Sequence, residues 1–292
     1  MAGDPRALLQ KADKTLASAG SGFSLFGGRE QKYMDAAELY IEAANAFRMQ
    51  KMMREAGQAF EKAATVQSQN LKEPSDAANA MVDAFKVYKQ ESPEDAVRVL
   101  EFSIQQYCKT GNFRRAAQHK EAMGEVFETQ LADTKRALAA YEEAAGWYEG
   151  DNAAALANKL WLKVADIAAL DADYYKAIEQ YEKVAAASLN NNLMRYSVKD
   201  YFLKAGICHL ATGDMVTANR ALEKYRDMDP TFPSNREHQL LVDLLAAIEA
   251  GNQDDFTDKL FQYDRMSKLD KWKTTLLVRV KESIVEAGED FS

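Results

Sequence analysis

Residues 137–141, ALAAY, and residues 177–181, AIEQY, each place an alanine four positions before a tyrosine. The same spacing of a small residue and a large apolar residue is found at three other places, namely Ala56 and Phe60, Ala96 and Leu100, and Ala218 and Leu222. The alanines of this series follow one another at intervals of 40 or 41 residues. An interval that regular indicates an internal repeat, which decides the architecture.

A second series of small and large residues lies between the members of the first. Its members are Ala36 and Tyr40, Ala77 and Met81, Ala157 and Trp161, and Val198 and Phe202, while Ala117 fits the small position and Glu121 breaks the large one. Two interleaved series predict two helices per repeat, because small residues let helices approach and the residue at i+4 fills the groove. The sequence therefore predicts antiparallel helical hairpins of a tetratricopeptide-like kind, with helices longer than in the 34-residue repeat.

Composition agrees with an all-α fold. The 292 residues include only 14 glycines and 5 prolines, too few for a turn-rich β fold. After Asp229-Pro230 the repeat spacing lapses, and three further helices are predicted near 234–250, 253–267 and 269–287. We therefore predict a hairpin domain over residues 1–229 and a C-terminal helical bundle over 230–292, which caps the hydrophobic end of the stack.

Charge and cysteine usage limit the partners and the compartment. A formal net charge of −8 argues against a dedicated nucleic-acid binder. Cys108 and Cys208 stand far apart, which predicts neither a disulfide scaffold nor a zinc site and favours a reducing compartment. The first residues lack a signal-peptide pattern, and no apolar run approaches the ~20 residues of a membrane-spanning helix. We expect a cytoplasmic protein whose membrane contact is peripheral.

Sequence motifs for catalysis or cofactor binding are absent. The chain contains no GxxxxGK[ST], GxGxxG, HExxH or GxSxG, so it offers no phosphate cradle, metal-binding helix or nucleophile elbow. His119, His209 and His238 stand apart from acidic or cysteine partners at ligand spacing. We expect no enzymatic activity, no cofactor and no metal, although catalytic groups can also assemble in space, for example in the C-terminal bundle.

A glycine-rich loop over residues 18–28, SAGSGFSLFGG, carries three large apolar residues, Phe23, Leu25 and Phe26. Loops normally expose polar groups. The three side chains therefore either fold back over the end of the stack or insert into an apolar environment. The local sequence leaves both alternatives open.

Basic residues recur on neighbouring hairpins. Lys159 and Lys163 share one helix face at i, i+4. Arg114, Arg115 and Lys120 lie one hairpin earlier, and Lys199 and Lys204 lie one hairpin later. Lysines at this spacing commonly belong to a solvated face, but these residues could also form a basic stripe. The chain ends in an acidic segment whose penultimate residue is Phe291, a plausible anchor for a partner.

Several stretches resemble the soluble NSF attachment proteins, specifically the alpha type, over essentially the whole chain. They are residues 22–26, residues 157–163, residues 196–204 and residues 269–273, which occur in the same order and at matching separations. The resemblance implies a twisted sheet of helical hairpins followed by a C-terminal helical bundle. It also implies an adaptor that binds the four-helix SNARE complex and delivers it to the hexameric ATPase NSF.

The resemblance also implies roles for individual residues. Lys159, Lys163 and Lys199 match the family's basic SNARE-contacting surface, and Leu193 and Tyr196 match its apolar contacts. Arg114 and Arg115 extend this surface by the repeat argument. Phe23, Leu25 and Phe26 match the membrane-touching element. The ATPase-facing residues are Asp214, Glu249, Asp254, Glu289, Asp290 and Phe291.

Two departures from the family pattern fall in the ATPase-facing region. Phe291 stands where family members usually carry leucine, and the acidic cluster near Glu249 is thinner. The alternative to the adaptor interpretation is a general tetratricopeptide-like scaffold that binds an extended peptide in its groove.

Overall fold

A computed structural model describes residues 4–20 and 28–289, with side chains up to residue 284. This part of the chain contains fourteen α-helices and no strand. The first seven are α1 Pro5–Gly20, α2 Gly28–Met49, α3 Met53–Val66, α4 Pro74–Tyr88, α5 Pro93–Lys109, α6 Phe113–Thr129 and α7 Thr134–Gly150. The others are α8 Ala154–Leu170, α9 Tyr174–Leu189, α10 Val198–Ala211, α11 Met215–Met228, α12 Arg236–Glu249, α13 Gln253–Met266 and α14 Lys271–Glu289. The prediction of an all-α fold of tetratricopeptide-like hairpins is confirmed.

Each pair of small and large residues in the two sequence series corresponds to one helix. Each helix from α2 to α11 carries one small residue of the two interleaved series, and all ten of these residues are buried. Glu121, which breaks the apolar pattern in α6, is half-buried and accepts a 3.3 Å hydrogen bond from the Tyr148 hydroxyl of α7. The exception therefore keeps its place in the packing through a polar contact.

Helix boundaries follow local turn chemistry. Gly111 and Gly213 adopt positive φ angles of 73° and 77°, which a residue without Cβ tolerates. The next residue, Asn112 or Asp214, accepts a hydrogen bond from the backbone N–H three positions on and caps the following helix. The capping side chains Asp133, Asp173 and Asn252 act in the same way.

Residues 1–157 form the first compact unit, in which helices α1 to α7 pack consecutively as antiparallel neighbours. Gly57 of α3 lies against the ring of Tyr88 of α4, and a Cβ at this glycine would stand 2.4 Å from the ring. The close approach of these helices therefore depends on the missing side chain.

Residues 158–292 form the second compact unit, in which α10 contacts α9, α11, α12 and α14. Phe202 of α10 stacks on Tyr225 with ring centroids 4.5 Å apart, and Phe232 packs edge-on against Phe202 at 5.1 Å. One hydrophobic core extends from α8 to α14. The predicted boundary at 229/230 marks the end of the repeat inside this core, and as a division into domains it stays a prediction.

The three predicted C-terminal helices are present as α12, α13 and α14, with ends within a few residues of those expected. In the described ranges no helix combines the length and apolarity needed to cross a membrane. Cys108 and Cys208 are free thiols.

Candidate functional site

The connection between α9 and α10 presents two large apolar side chains to solvent. Leu193 is 92% exposed and Tyr196 is 79% exposed. The Oδ1 of Asn191 accepts a 3.0 Å hydrogen bond from the Leu193 N–H, and a 3-10 turn over Arg195–Ser197 leads directly into α10. Two exposed apolar residues on a hydrogen-bonded turn form a candidate protein contact.

Two ion pairs link this connection to Asp229, which directly follows α11, and to Glu237 of α12. Arg195 Nη2 lies 3.5 Å from Oδ1 of Asp229, a buried carboxylate. Lys199 Nζ lies 3.3 Å from Oε1 of Glu237 and 4.8 Å from the ring centroid of Tyr196. Tyr196 therefore lies between two basic residues of the chain, Arg195 and Lys199, and each of them forms an ion pair. We call Leu193, Tyr196 and Lys199 the α9–α10 patch.

Lys159 and Lys163 stand one turn apart on α8, where Lys159 is exposed and Lys163 is half-buried. Lys204 follows Val198 by six residues, as Lys163 follows Ala157, so the repeat gives these lysines the same offset. Lys204 forms an ion pair with Asp166, whose carboxylate lies 2.7 Å from the lysine Nζ. Lys204, which the sequence assigned to the predicted basic stripe, therefore lies in an ion pair within its own unit.

Arg114 and Arg115 lie at the start of α6 in the first unit. Arg114 Nη1 is 3.9 Å from Asp151, and the Arg115 guanidinium lies 5.5 Å from the Tyr107 ring centroid. Lys120, on the same helix, is held between Glu143 at 2.8 Å and Glu101 at 3.6 Å. The two arginines are exposed to solvent, whereas the Lys120 ammonium forms ion pairs with two carboxylates of the same unit.

The predicted acidic residues of the second unit gather at neighbouring helix ends. Asp214 caps α11 and accepts from the Thr217 N–H and hydroxyl, hydrogen bonds that lower the pKa of its carboxyl. Glu249 ends α12 and accepts a 2.9 Å hydrogen bond from Asn219 of α11. Asp254 lies in the first turn of α13, one short loop after Glu249. The helix dipole favours Asp214 and Asp254, which lie at helix N-termini, but not Glu249, which lies at the C-terminus of α12.

Several predicted site residues lie outside the described residues. They are Phe23, Leu25, Phe26, Asp290 and Phe291. Glu289 is the last residue of α14, and its side chain is likewise outside the description.

Sequence reasoning missed three residues that shape these surfaces. Asp229 and Glu237 anchor Arg195 and Lys199 across 34 and 38 residues of sequence, a pairing that no local pattern signals. Val216, 63% exposed, directly follows the first residue of α11 beside the acidic cap. An apolar residue two positions after the helix-capping Asp214 is a sequence signal from which this exposed apolar side chain could have been predicted.

Consecutive helical hairpins with an exposed apolar and basic patch define a helical-repeat protein of the tetratricopeptide-like class. A sequence model described as soluble NSF attachment protein, SNAP, matches residues 3–285, and the chain belongs to this family. The predicted resemblance is therefore confirmed.

Relatives match over essentially their whole length. The probable vesicular-fusion protein sec17 homolog of Neurospora crassa is 59% identical over 292 residues, which is 100% of both chains. The alpha-soluble NSF attachment protein of Homo sapiens is 41% identical over 285 residues, covering 97% of this chain and 96% of that protein. The alpha-soluble NSF attachment protein of Saccharomyces cerevisiae is 38% identical over 289 residues, covering 98% and 99%.

Proposed function

We propose that this chain is a non-enzymatic adaptor that binds SNARE complexes and recruits and stimulates the ATPase NSF for SNARE disassembly in vesicle fusion. One observation carries the proposal: membership of the soluble NSF attachment protein family over residues 3–285, with relatives at 38 to 59% identity that match over 96 to 100% of their length. On this proposal the protein works in the cytoplasm and associates peripherally with membranes. It needs no cofactor and binds no nucleic acid.

The α9–α10 patch supports a protein contact with mixed apolar and basic character. Most of the surface of Leu193 and Tyr196 is exposed to solvent. On the proposal they pack against the SNARE four-helix complex, while Lys159 and Lys163 of α8 face its acidic side chains. Complementary charge orients such an encounter, and several copies around one bundle add avidity. Arg114 and Arg115 of the first unit are proposed as further basic contacts with the SNARE complex.

The acidic helix ends support a second contact, with the ATPase. Asp214, Glu249 and Asp254 lie at the adjoining ends of α11, α12 and α13, and the proposal directs them, together with Glu289, Asp290 and Phe291, towards NSF. Phe23, Leu25 and Phe26 are proposed to touch the membrane surface.

A ternary pull-down tests the proposal. Immobilised soluble SNARE complex should retain NSF only when this protein is present, and NSF without SNARE complex should not be retained on an empty matrix. A general peptide-binding scaffold would bind an extended peptide and recruit no ATPase. Failure to bridge the two partners would contradict the adaptor proposal.

A further inference from the structure

The ammonium of Lys199 is enclosed by groups of its own chain. Its Nζ lies 3.3 Å from Oε1 of Glu237 and 4.8 Å from the centroid of the Tyr196 ring. The Lys199 side chain is 27% exposed and that of Glu237 only 12%, whereas Tyr196 is 79% exposed. The lysine therefore lies beneath the tyrosine, with its charge directed at a nearly buried carboxylate.

This arrangement limits what Lys199 can offer to an acidic partner. An opposite charge within hydrogen-bonding range cancels most of the field that an ammonium projects into solvent. A partner carboxylate would also have to displace Glu237, which would leave a nearly buried charge without its cation. Asp200, the next residue on α10, is not a second partner for Lys199 in this arrangement, because its carboxylate lies 2.7 Å from Lys273 Nζ.

The Lys199 side chain is instead well placed to support the aromatic ring of Tyr196. A cation close to the face of a tyrosine attracts the ring and restricts its rotamers. Arg195, on the other side of Tyr196, is similarly anchored to Asp229 at 3.5 Å. Ion pairs thus restrain one side chain before and one side chain after Tyr196 along the chain. A preorganised side chain loses less entropy on binding.

We infer that Lys199 and Glu237 are positioning residues that hold Tyr196 outward as an apolar anchor, and that Lys199 does not act as a charge contact. The inference rests on the proposed function, since it assigns roles within the proposed SNARE contact. On this inference Glu237 contributes to SNARE binding indirectly, by holding Lys199 in place, and does not contact the SNARE complex itself.

The substitution Glu237→Gln separates the two roles by the sign of its effect. If Glu237 positions Lys199 and Tyr196, affinity for a soluble SNARE complex should fall roughly two- to tenfold, the cost of ordering a side chain on binding. The loss should be the same at low and high salt. If Lys199 contacts the partner through its charge, removing its competitor should tighten binding and steepen the salt dependence. Tighter or unchanged binding would overturn the inference.

A double-mutant cycle with Tyr196→Ala provides the specific readout. In the Tyr196→Ala background, Glu237→Gln should cause no further loss, because the side chain that it positions is gone. Additive losses would contradict the inference. The control Glu223→Gln removes the same charge from an exposed site on α11 and should leave affinity unchanged.

Glu237→Asp covers the case in which the glutamine variant is unfolded. It keeps the negative charge and withdraws the carboxylate by one methylene, so a positioning role predicts a smaller loss in the same direction. Unchanged affinity in a folded Glu237→Asp protein would contradict it. If the parent protein fails to bind the SNARE complex, the proposed function fails, whereas a binding parent with an equally tight Glu237→Gln variant refutes only this inference.

Discussion

The hydroxyl of Tyr225 on α11 donates a 2.8 Å hydrogen bond to Oε1 of Glu182 on α9. Lys224 donates to the other carboxylate oxygen at 2.6 Å, and His209 Nε2 lies 3.6 Å from Oε1. Burial alone would raise the pKa of Glu182, but its interactions with His209, Lys224 and Tyr225 outweigh burial and lower the pKa to about 2. One carboxylate therefore ties three helices together.

The same arrangement occurs in the first unit. Glu61 of α3 accepts a 2.6 Å hydrogen bond from the Tyr88 hydroxyl of α4 and a 2.7 Å bond from Arg98 of α5. Asp13 of α1 likewise accepts from Tyr40 at 2.7 Å and from Lys62 at 2.9 Å. A carboxylate shared by a tyrosine and a cation two helices on is thus a recurring link between hairpins.

Glu182→Gln should lower the free energy of unfolding by about 2–3 kcal/mol at pH 7. Because the folded pKa is depressed from 4.5 to about 2, the contribution of Glu182 is complete above pH 4.5 and is lost as pH falls towards 2. Urea unfolding at successive pH values measures the difference from the parent, with Glu223→Gln as the exposed control. A deficit that stays constant between pH 4.5 and 2 would contradict this account.

Lys159→Glu combined with Lys163→Glu should weaken binding to a soluble SNARE complex, because attraction to an acidic bundle becomes repulsion. Charge contacts at a solvent-accessible surface contribute only ~0.2–1 kcal/mol each, so the loss of affinity should be graded and should diminish with salt. Affinity measured at low and high salt checks this. The control reverses Lys11 and Lys14, exposed lysines of α1. Equal effects of both double variants would mean that net charge alone is responsible.

The fold was largely predictable from the sequence. Small residues such as Ala56 and Ala96 recur at a fixed interval because each hairpin repeats the same close helix contact, so their spacing reported both the number and the register of helices. Helix ends were predictable where a capping residue follows a glycine, as at Gly213 and Asp214. The continuation of the core from α11 into α12 was not, because it depends on packing between residues far apart in sequence.

The sequence identified candidate basic residues but not the ion pairs that they form. Lys199 was identified as a basic contact, yet its partner Glu237 lies 38 residues away and only folding brings the two together. Lys120 and Lys204 look equally basic in sequence, but each is held by a carboxylate. A lysine's availability depends on its neighbours in space, which periodicity does not specify.

Replacing Phe23, Leu25 and Phe26 together by serine should abolish binding to liposomes. Burying one such side chain contributes on the order of 1.5–3 kcal/mol, so membrane association through three of them is weak and depends on all. Liposome flotation measures the binding. Disassembly of membrane-anchored SNARE complexes should slow, whereas soluble complexes provide the control and should be unaffected. An equal decline for both substrates would indicate that the loop stabilises the fold.

Phe291→Ala should preserve SNARE binding and reduce stimulation of NSF, because an aromatic anchor contributes more than the charges beside it. Phe291→Leu should retain most of the stimulation, since leucine is also a large apolar residue and can fill the same apolar pocket. NSF turnover at saturating SNARE complex measures both variants, with deletion of the last four residues as the lower bound. If the alanine variant matches the parent while the deletion does not, the acidic residues carry the effect.

The most direct test of the adaptor account is ATP-dependent disassembly of a purified SNARE complex by NSF. With this protein present, the complex should come apart and NSF turnover should rise, and both effects should require SNARE complex, NSF and this protein together. The protein alone should hydrolyse no ATP. Disassembly at the same rate without the protein, or no disassembly with all three present, would contradict the account.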